Sequence, residues 1–309
     1  MVEPLICIIV LNWNGYTTTR ECLLSLIKIS YLYYTIILVD NGSTDDSIEK
    51  LSKEFTQIDY LTLNKNYGFA GGVNKGIAHA IKLYDPEFFL LLNNDTIVNT
   101  DFLSQLIRPF YFEEKVLASV PKIYSFDRKE IIDSAGGKIS KLTGIVTEYG
   151  KNKNDSYYKA VKGATGFMSG CAALLSKETI TKIGFFDETF FAYSEDTDYS
   201  IRILNSGYKI MFVPESMVYH KGGHSFSSNN QNWFKYYLAT RNFILLQNKH
   251  SDRTAFPVFI FVFFFRWVLY LSFKMAFLFE FKSVKAIALG FIDGLSRKSR
   301  YGLEFPKLG

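Results

Sequence analysis

Leu5-Ile-Cys-Ile-Ile-Val-Leu-Asn-Trp-Asn-Gly15 opens as an unbroken apolar run and stops at a carboxamide. A run this short and this uniformly apolar reads as a strand covered on both faces, and Glu3 ahead of it, with no basic residue, argues against a signal peptide. Three further runs lie outward from it, at Ile36 to Val39, Tyr60 to Leu63 and Phe88 to Leu92, with helix-length segments between. That alternation predicts an α/β fold on a parallel sheet. The linking segments carry helix signals: Ser43 with Asp46 resembles a capping box before Ile48 and Leu51, and Asn99-Thr100 precedes Phe102, Leu103, Leu106 and Ile107 at helical spacing.

Each run ends in polar residues: Asn12 and Asn14, Asp40 and Asn41, Asn64 to Asn66, and Asn93 to Asp95. One such cluster reads as a turn, but in an open parallel sheet the four strand C-termini line one edge, where ligands bind. The glycine-rich stretch Asn64 to Gly76 contains neither the dinucleotide fingerprint nor a P-loop, which excludes the commonest oxidoreductase and kinase readings. It reads either as a tight strand-to-helix turn or as a place where backbone approaches a phosphate or ribose.

A chain of 309 residues, 48% hydrophobic, suffices for one large domain or a domain with an appendage. The formal charge of +5 concentrates near the C-terminus, where Lys282, Lys285, Arg297, Lys298, Arg300 and Lys307 face only Asp293 and Glu304. A basic tail after apolar sequence suits an anionic membrane surface and not a nucleic acid. Cys7, Cys22 and Cys171 are too few and scattered for a disulfide framework or zinc cluster, which fits a reducing cytoplasm.

Asp95 ends a buried run and reads as a helix cap or as a ligand for Mg²⁺ or Mn²⁺. Glu195, Asp196 and Asp198 sit in an aromatic-rich stretch, either as a solvated helix start leading into Tyr199, Ile201 and Ile203, or as crowded carboxylates of perturbed proton affinity. His220 ends the strand-like Ile210 to Tyr219 and is a reasonable further metal ligand, with His224 a weaker one.

Val116 to Gly166 reads as an insertion with a mobile loop at Lys151 to Asp155. Gly163 to Cys171 supplies small residues for a pocket floor or for close packing. Phe256 to Phe281 is dominated by phenylalanine but interrupted by Arg266 and Lys274, a spacing poor for one unbroken span. An interfacial helix or short membrane-dipping hairpin is expected, the alternative being a buried helical pair.

Six ordered blocks, Ile9 to Gly15, Val39 to Asp45, Asn64 to Gly76, Leu92 to Asp95, Ser134 to Gly137 and Gly184 onward, resemble the inverting family 2 glycosyltransferases of GT-A fold, in particular the bacterial polysaccharide branch rich in rhamnosyltransferases. The resemblance implies a mixed sheet with helices on both faces. It implies a transferase domain over 1–250, nucleotide-sugar-binding in 1–115 and acceptor-facing in 116–250, before a membrane-associating segment over 251–309. By the same resemblance Asp40 meets the nucleobase with Asn12 and Asn14 nearby. The donor side extends to Asn41, Lys65, Gly68, Gly71, Asn74, Asn93 and Asn94. Asp95 closes the family's Asp-x-Asp motif, in which Asn93 departs from the pattern, and His220 joins it on Mg²⁺ or Mn²⁺. Asp196 is the implied catalytic base beside Glu195, and Gly170, Asp198 and Arg241 fall on the acceptor side.

The implied reaction transfers a sugar, first choice L-rhamnose from dTDP-rhamnose with UDP-sugars next, to a saccharide or lipid-linked acceptor in cell-surface polysaccharide synthesis at the cytoplasmic face of the membrane. A sugar nucleotidyltransferase would need a glycine- and arginine-bearing loop after the first strand, which Asn12-Trp-Asn-Gly15 does not supply. A silent carbohydrate-binding or membrane-scaffold protein is the reading from another class, and Asp95, Asp196 and His220 together stand against it.

Overall fold

The computed structural model describes residues 3–140, 143–158, 160–222 and 232–298; His224, Arg300, Glu304 and Lys307 lie outside the described residues. The four apolar runs form β1 (Ile6–Asn12), β2 (Tyr34–Asp40), β3 (Asp59–Thr62) and β4 (Phe88–Asn93), all parallel and adjacent in the order β4-β1-β2-β3. Side chains alternate across β1: Ile6, Ile8 and Val10 enter a core under α1 (Tyr16–Leu26) and α2 (Ser47–Glu54), while Cys7 and Ile9 enter a second core under α3 (Gly68–Tyr84). Both faces are therefore covered, which is why these strands carry no polar alternation.

The expected capping box is absent. Helix α2 starts at Ser47, whose N–H is taken by Asp45 at 3.2 Å, and the Ser43 hydroxyl donates to Asp40. The glycine-rich stretch serves packing: a Cβ on Gly76 would lie 2.7 Å from Ile9 Cγ2 and 2.9 Å from Val39 Cγ2, so its absence lets α3 settle onto β1 and β2.

The sheet continues past β4 with β5 (Thr96–Val98), β6 (Val116–Ser125), β7 (Ile132–Ser134), β10 (Gly163–Thr165), β11 (Ala172–Ser176) and β12 (Lys209–His220), while β8 (Gly137–Ile139) and β9 (Val146–Glu148) make a separate hairpin. Antiparallel β11 joins β4 to β6, so the ten-stranded sheet is mixed. The expectation of an insertion from Val116 is corrected here, because β6 is a buried strand inside the main sheet. The Lys151 to Asp155 turn is tied down as well, since Asp155 accepts from Lys122 and from the Tyr124 hydroxyl, each at 2.8 Å. Helices α4 (Phe102–Leu106), α5 (Pro109–Phe112), α6 (Lys177–Ile183) and α7 (Glu195–Asn205) complete the layers.

Beyond the sheet come α8 (Asn232–His250), α9 (Ala255–Phe277) and α10 (Phe281–Leu295). Gly290 and Gly294 let α10 close on α8, and the Tyr237 hydroxyl donates to the buried Asp293 at 2.7 Å across that contact. Neither a hairpin nor a buried pair forms from the phenylalanine-rich run. It is one continuous 23-residue helix, long and apolar enough to cross a membrane, with a π-helical stretch at Phe264–Leu269. Arg266 and Lys274 occupy exposed positions, so they carry no burial penalty, and both are good helix formers. Phe261, Phe273 and Phe277 are 66%, 77% and 78% exposed.

Candidate active site

Parallel register sets the polar edge: Asn12 lies beside Asp40, and Leu11 beside Asn93. Asn12 is fully buried and donates to Asp40 (3.2 Å), Ser43 and Ser47 (3.1 Å each), while its carbonyl accepts from Thr19 at 2.8 Å. Both of its amide protons are engaged within the protein, so Asn12 holds Asp40 from a buried position. Asn14, at φ 50°, accepts from the Thr44 and Asp45 N–H groups and pins the turn after β2. Asn41 accepts from Tyr67 N–H at 2.9 Å and donates to the Gly68 carbonyl at 2.9 Å.

A cleft of about 550 Å³ opens at this edge. Asn41, Gly68, Asn93, Asn94, Asp95, Gly170, Glu195, Asp196 and His220 line it, together with Trp13, Cys171, Phe191 and Lys235, which sequence patterns did not single out. Asp40, Asn12, Asn14, Lys65, Gly71, Asn74, Asp198 and Arg241 are not lining residues. The Lys65 ammonium sits 5.2 Å from the Tyr67 ring centroid at an exposed position.

Several donor- and acceptor-side candidates make structural contacts. Asn74 donates to the Phe186 carbonyl (2.9 Å) and Glu188 (3.0 Å) and accepts from Phe186 N–H (3.0 Å), anchoring the segment that leads to α7. Gly68, at φ 74°, lacks the Cβ that would collide with the Phe191 carbonyl, and Gly71 would meet Tyr67 Cβ at 2.9 Å. Asp198 is fully buried among Arg202 (2.9 Å), Lys249 (2.8 Å) and His250 (2.7 Å). Burial by itself would raise its pKa, but those donors outweigh it and hold the carboxyl below its ordinary value. Arg241 is buried in α8 and donates to the Thr189 carbonyl.

On one side of the cleft, antiparallel pairing of β5 with β12 sets Thr96 opposite His220 and so brings Asp95 to the imidazole. His220 Nε2 lies 3.4 Å from Asp95 Oδ1, near enough for an ion pair but without hydrogen-bond geometry, and that buried oxygen has no hydrogen-bond partner among the described residues. Nδ1 of the same ring lies 2.9 Å from Asp133 Oδ2. Cys171, with burial opposing and Asp133 and Asp95 assisting, raises the His220 pKa above the ordinary imidazole value. Asp133 is held below its ordinary value by His220, against burial.

These residues fit a divalent cation: an orphaned carboxylate oxygen and an imidazole nitrogen face each other, and the ring's other nitrogen is fixed by a carboxylate, the usual arrangement behind a metal-bound histidine. A cation there would displace the imidazolium proton. Among the described residues no cluster of three or more metal-ligating side chains forms. Two protein ligands suit Mg²⁺ or Mn²⁺ that takes its remaining oxygens from phosphate and water.

On the acid side, Glu195 and Asp196 open α7 after a loop with φ of 63° at Phe191, 69° at Tyr193 and 73° at Ser194. Non-glycine residues in that region are uncommon and cost on the order of 1–3 kcal/mol each. Asp196 accepts from Gly170 N–H (3.1 Å) and Thr197 N–H (2.7 Å), yet burial outweighs these bonds and raises its pKa. The buried Glu195 has an Oε2 without a hydrogen-bond partner among the described residues, and burial, with Asp196 beside it, pushes its pKa up to about 8. The cleft thus brings together an aspartate–imidazole pair that fits a cation and a carboxylate of raised basicity, which is suited to taking a proton.

The sequence profile described as "Glycosyl transferase family 2" matches residues 7–184. The rhamnosyltransferase WbbL of Escherichia coli (strain K12) is 26% identical over 265 residues, spanning 80% of this chain and 97% of that protein. A poly-beta-1,6-N-acetyl-D-glucosamine synthase of Staphylococcus aureus (strain COL) is 25% identical over 209 residues, 67% of this chain but only 47% of the synthase. Among solved structures, GalNAc-T7 with UDP, GalNAc and Mn²⁺ superposes with TM-score 0.62 at 16% identity, covering 80% of this chain and 48% of that one. The mannosyltransferase PcManGT from Pyrobaculum calidifontis, with GDP-Man and Mn²⁺, gives 0.58 at 11% identity, covering 96% and 89%. These likenesses establish the GT-A fold.

Proposed function

The chain belongs to glycosyl transferase family 2, and on that premise we propose that it transfers a sugar, L-rhamnose from dTDP-rhamnose as first candidate and a UDP-sugar as second, to a hydroxyl of a saccharide or lipid-linked acceptor. The rhamnosyltransferase likeness over most of both chains supports the donor choice. The observation that carries the reaction type is the pairing of Asp196 with the Asp95–His220 site in one cleft.

Asp196 takes the acceptor hydroxyl's proton as the oxygen attacks the anomeric carbon, and the Gly170 and Thr197 N–H groups fix its orientation. A single displacement inverts the anomeric centre and needs no covalent intermediate. Asp95 and His220 are the residues that would hold Mg²⁺ or Mn²⁺, and such an ion would neutralise charge growing on the leaving diphosphate. Lys235 lends positive charge to the same cleft, and Asp40, held by Asn12 and Ser43, is the group proposed to read the nucleobase. Exposed phenylalanines of α9 support docking at the cytoplasmic membrane face, where a lipid-linked acceptor is met, in cell-surface polysaccharide synthesis.

A panel of nucleoside diphosphate sugars, given to the full chain with Mn²⁺ or with chelator, tests this reading. Metal-dependent release of nucleoside diphosphate from one donor is expected. Absence of both release and calorimetric donor binding across the panel would overturn the proposal.

A further inference from the structure

We infer that Asn242, in α8, is a positioning residue whose carboxamide holds the loop 190–194 in the backbone conformation that aims Asp196 into the cleft. The inference rests on the proposed role of Asp196 only for its consequence in turnover; the clamp itself is a matter of geometry. Asn242 is fully buried, and its Nδ2 lies 2.8 Å from the Phe190 carbonyl, 2.8 Å from that of Ala192 and 2.7 Å from that of Tyr193. Two protons serve three carbonyls, so one N–H is shared. The opposite orientation of the amide would set its oxygen against three oxygens, so the chemistry fixes the assignment.

Those carbonyls converge because Phe191, Tyr193 and Ser194 all have positive φ. Three such residues within four positions persist only where surroundings over-determine them. Asn242 supplies that constraint from a single side chain, which donates to three of the loop's carbonyls while its own Oδ1 has no partner among the described residues. A leucine would fill comparable volume without an orphaned acceptor, so packing does not account for an asparagine here. The loop's other side is set by α3, where Ala70 N–H donates to the Phe191 carbonyl at 3.2 Å and Gly68 leaves room for it. Farther along α8, Lys249 and His250 grip Asp198, so the helix holds the start of α7 on both sides of Asp196.

The experiment compares the full-length protein with Asn242→Ala and Asn242→Ser by amide exchange and by titration of UDP and dTDP in Mn²⁺. Faster exchange confined to the peptide covering 186–200 in Asn242→Ala, with β1 and β4 unchanged, is expected. Turnover of the donor identified in the panel should fall about 100-fold, the scale set by misplacing a reacting group by an ångström. Asn242→Ser keeps one donor and should lie between the two. Nucleotide affinity should stay at the wild-type value in both. Unchanged exchange over 186–200 overturns the clamp, and so does faster exchange spread through β1 and β4 with loss of nucleotide binding in both variants. If the wild type turns over no donor, the exchange comparison still decides the clamp, while the silence counts against the proposed transfer.

Discussion

The parallel half of the sheet and α9 are both built from apolar runs, and they end in opposite situations. In β1, β2 and β4 the runs are buried beneath helices, so polarity is driven to the strand ends and gathers at one edge. In α9 the run is a single helix on which Phe261, Phe265, Phe273 and Phe277 stay exposed while its cations sit in exposed positions. Apolar density therefore says that something must cover a segment and not what covers it. In the first region the chain supplies the cover and gains a polar cleft edge as a by-product; in the second a bilayer is the cover we propose.

The sharpest way to break this division of labour is Asp196→Asn. It keeps an acceptor for the Gly170 N–H but removes the base, and turnover should fall about 10²- to 10⁴-fold with nucleoside diphosphate affinity unchanged by calorimetry. Full turnover in the variant would mean the polar edge binds without Asp196 doing chemistry. Asp133→Asn tests the cation side of the same edge. Losing the carboxylate behind His220 should raise the half-saturating Mn²⁺ concentration roughly 10- to 100-fold, and an unmoved titration would make the histidine structural.

The other region answers to Phe273→Ser. Removing one exposed ring should weaken partition onto anionic vesicles by about 10- to 100-fold, given ~1.5–3 kcal/mol for a buried phenylalanine, and leave nucleotide affinity in solution untouched. Unchanged partition would show that this face does not meet lipid. The smallest effect is on stability. The Glu195 pKa lies near 8 in the folded protein against an ordinary 4.5, so its contribution is full below about 4.5 and is lost as pH rises through about 8. Glu195→Gln should flatten that decline in Tm over this window, and parallel wild-type and variant curves would mean Glu195 ionises as an ordinary carboxylate.

Much of the first half was legible because its signals are local. Strand runs and their polar ends are contiguous, and parallel connectivity sends those ends to one edge, so the gathering of Asn12, Asp40 and Asn93 there followed from pattern. The roles of individual side chains did not. Asn12 and Asn74 carry the residue type of a ligand contact, yet their hydrogen bonds go to Ser43, Ser47, Thr19, Phe186 and Glu188. Asp133 escapes a sequence-only reading because its partner His220 is 87 positions away and no local pattern marks it.

By itself the sequence determined the parallel half of the sheet, its polar edge and the acid that stands there, since periodicity and strand ends are properties of neighbours along the chain. Tertiary structure alone decided which polar groups face the cleft and which hold it together, because that depends on partners brought in from distant segments. Asp196 lines the cleft while Asp198, two residues on, is locked between Arg202, Lys249 and His250. The turn of a helix separates a cleft-lining carboxylate from a buried, ion-paired one, and only the partners that α8 brings to α7 tell them apart.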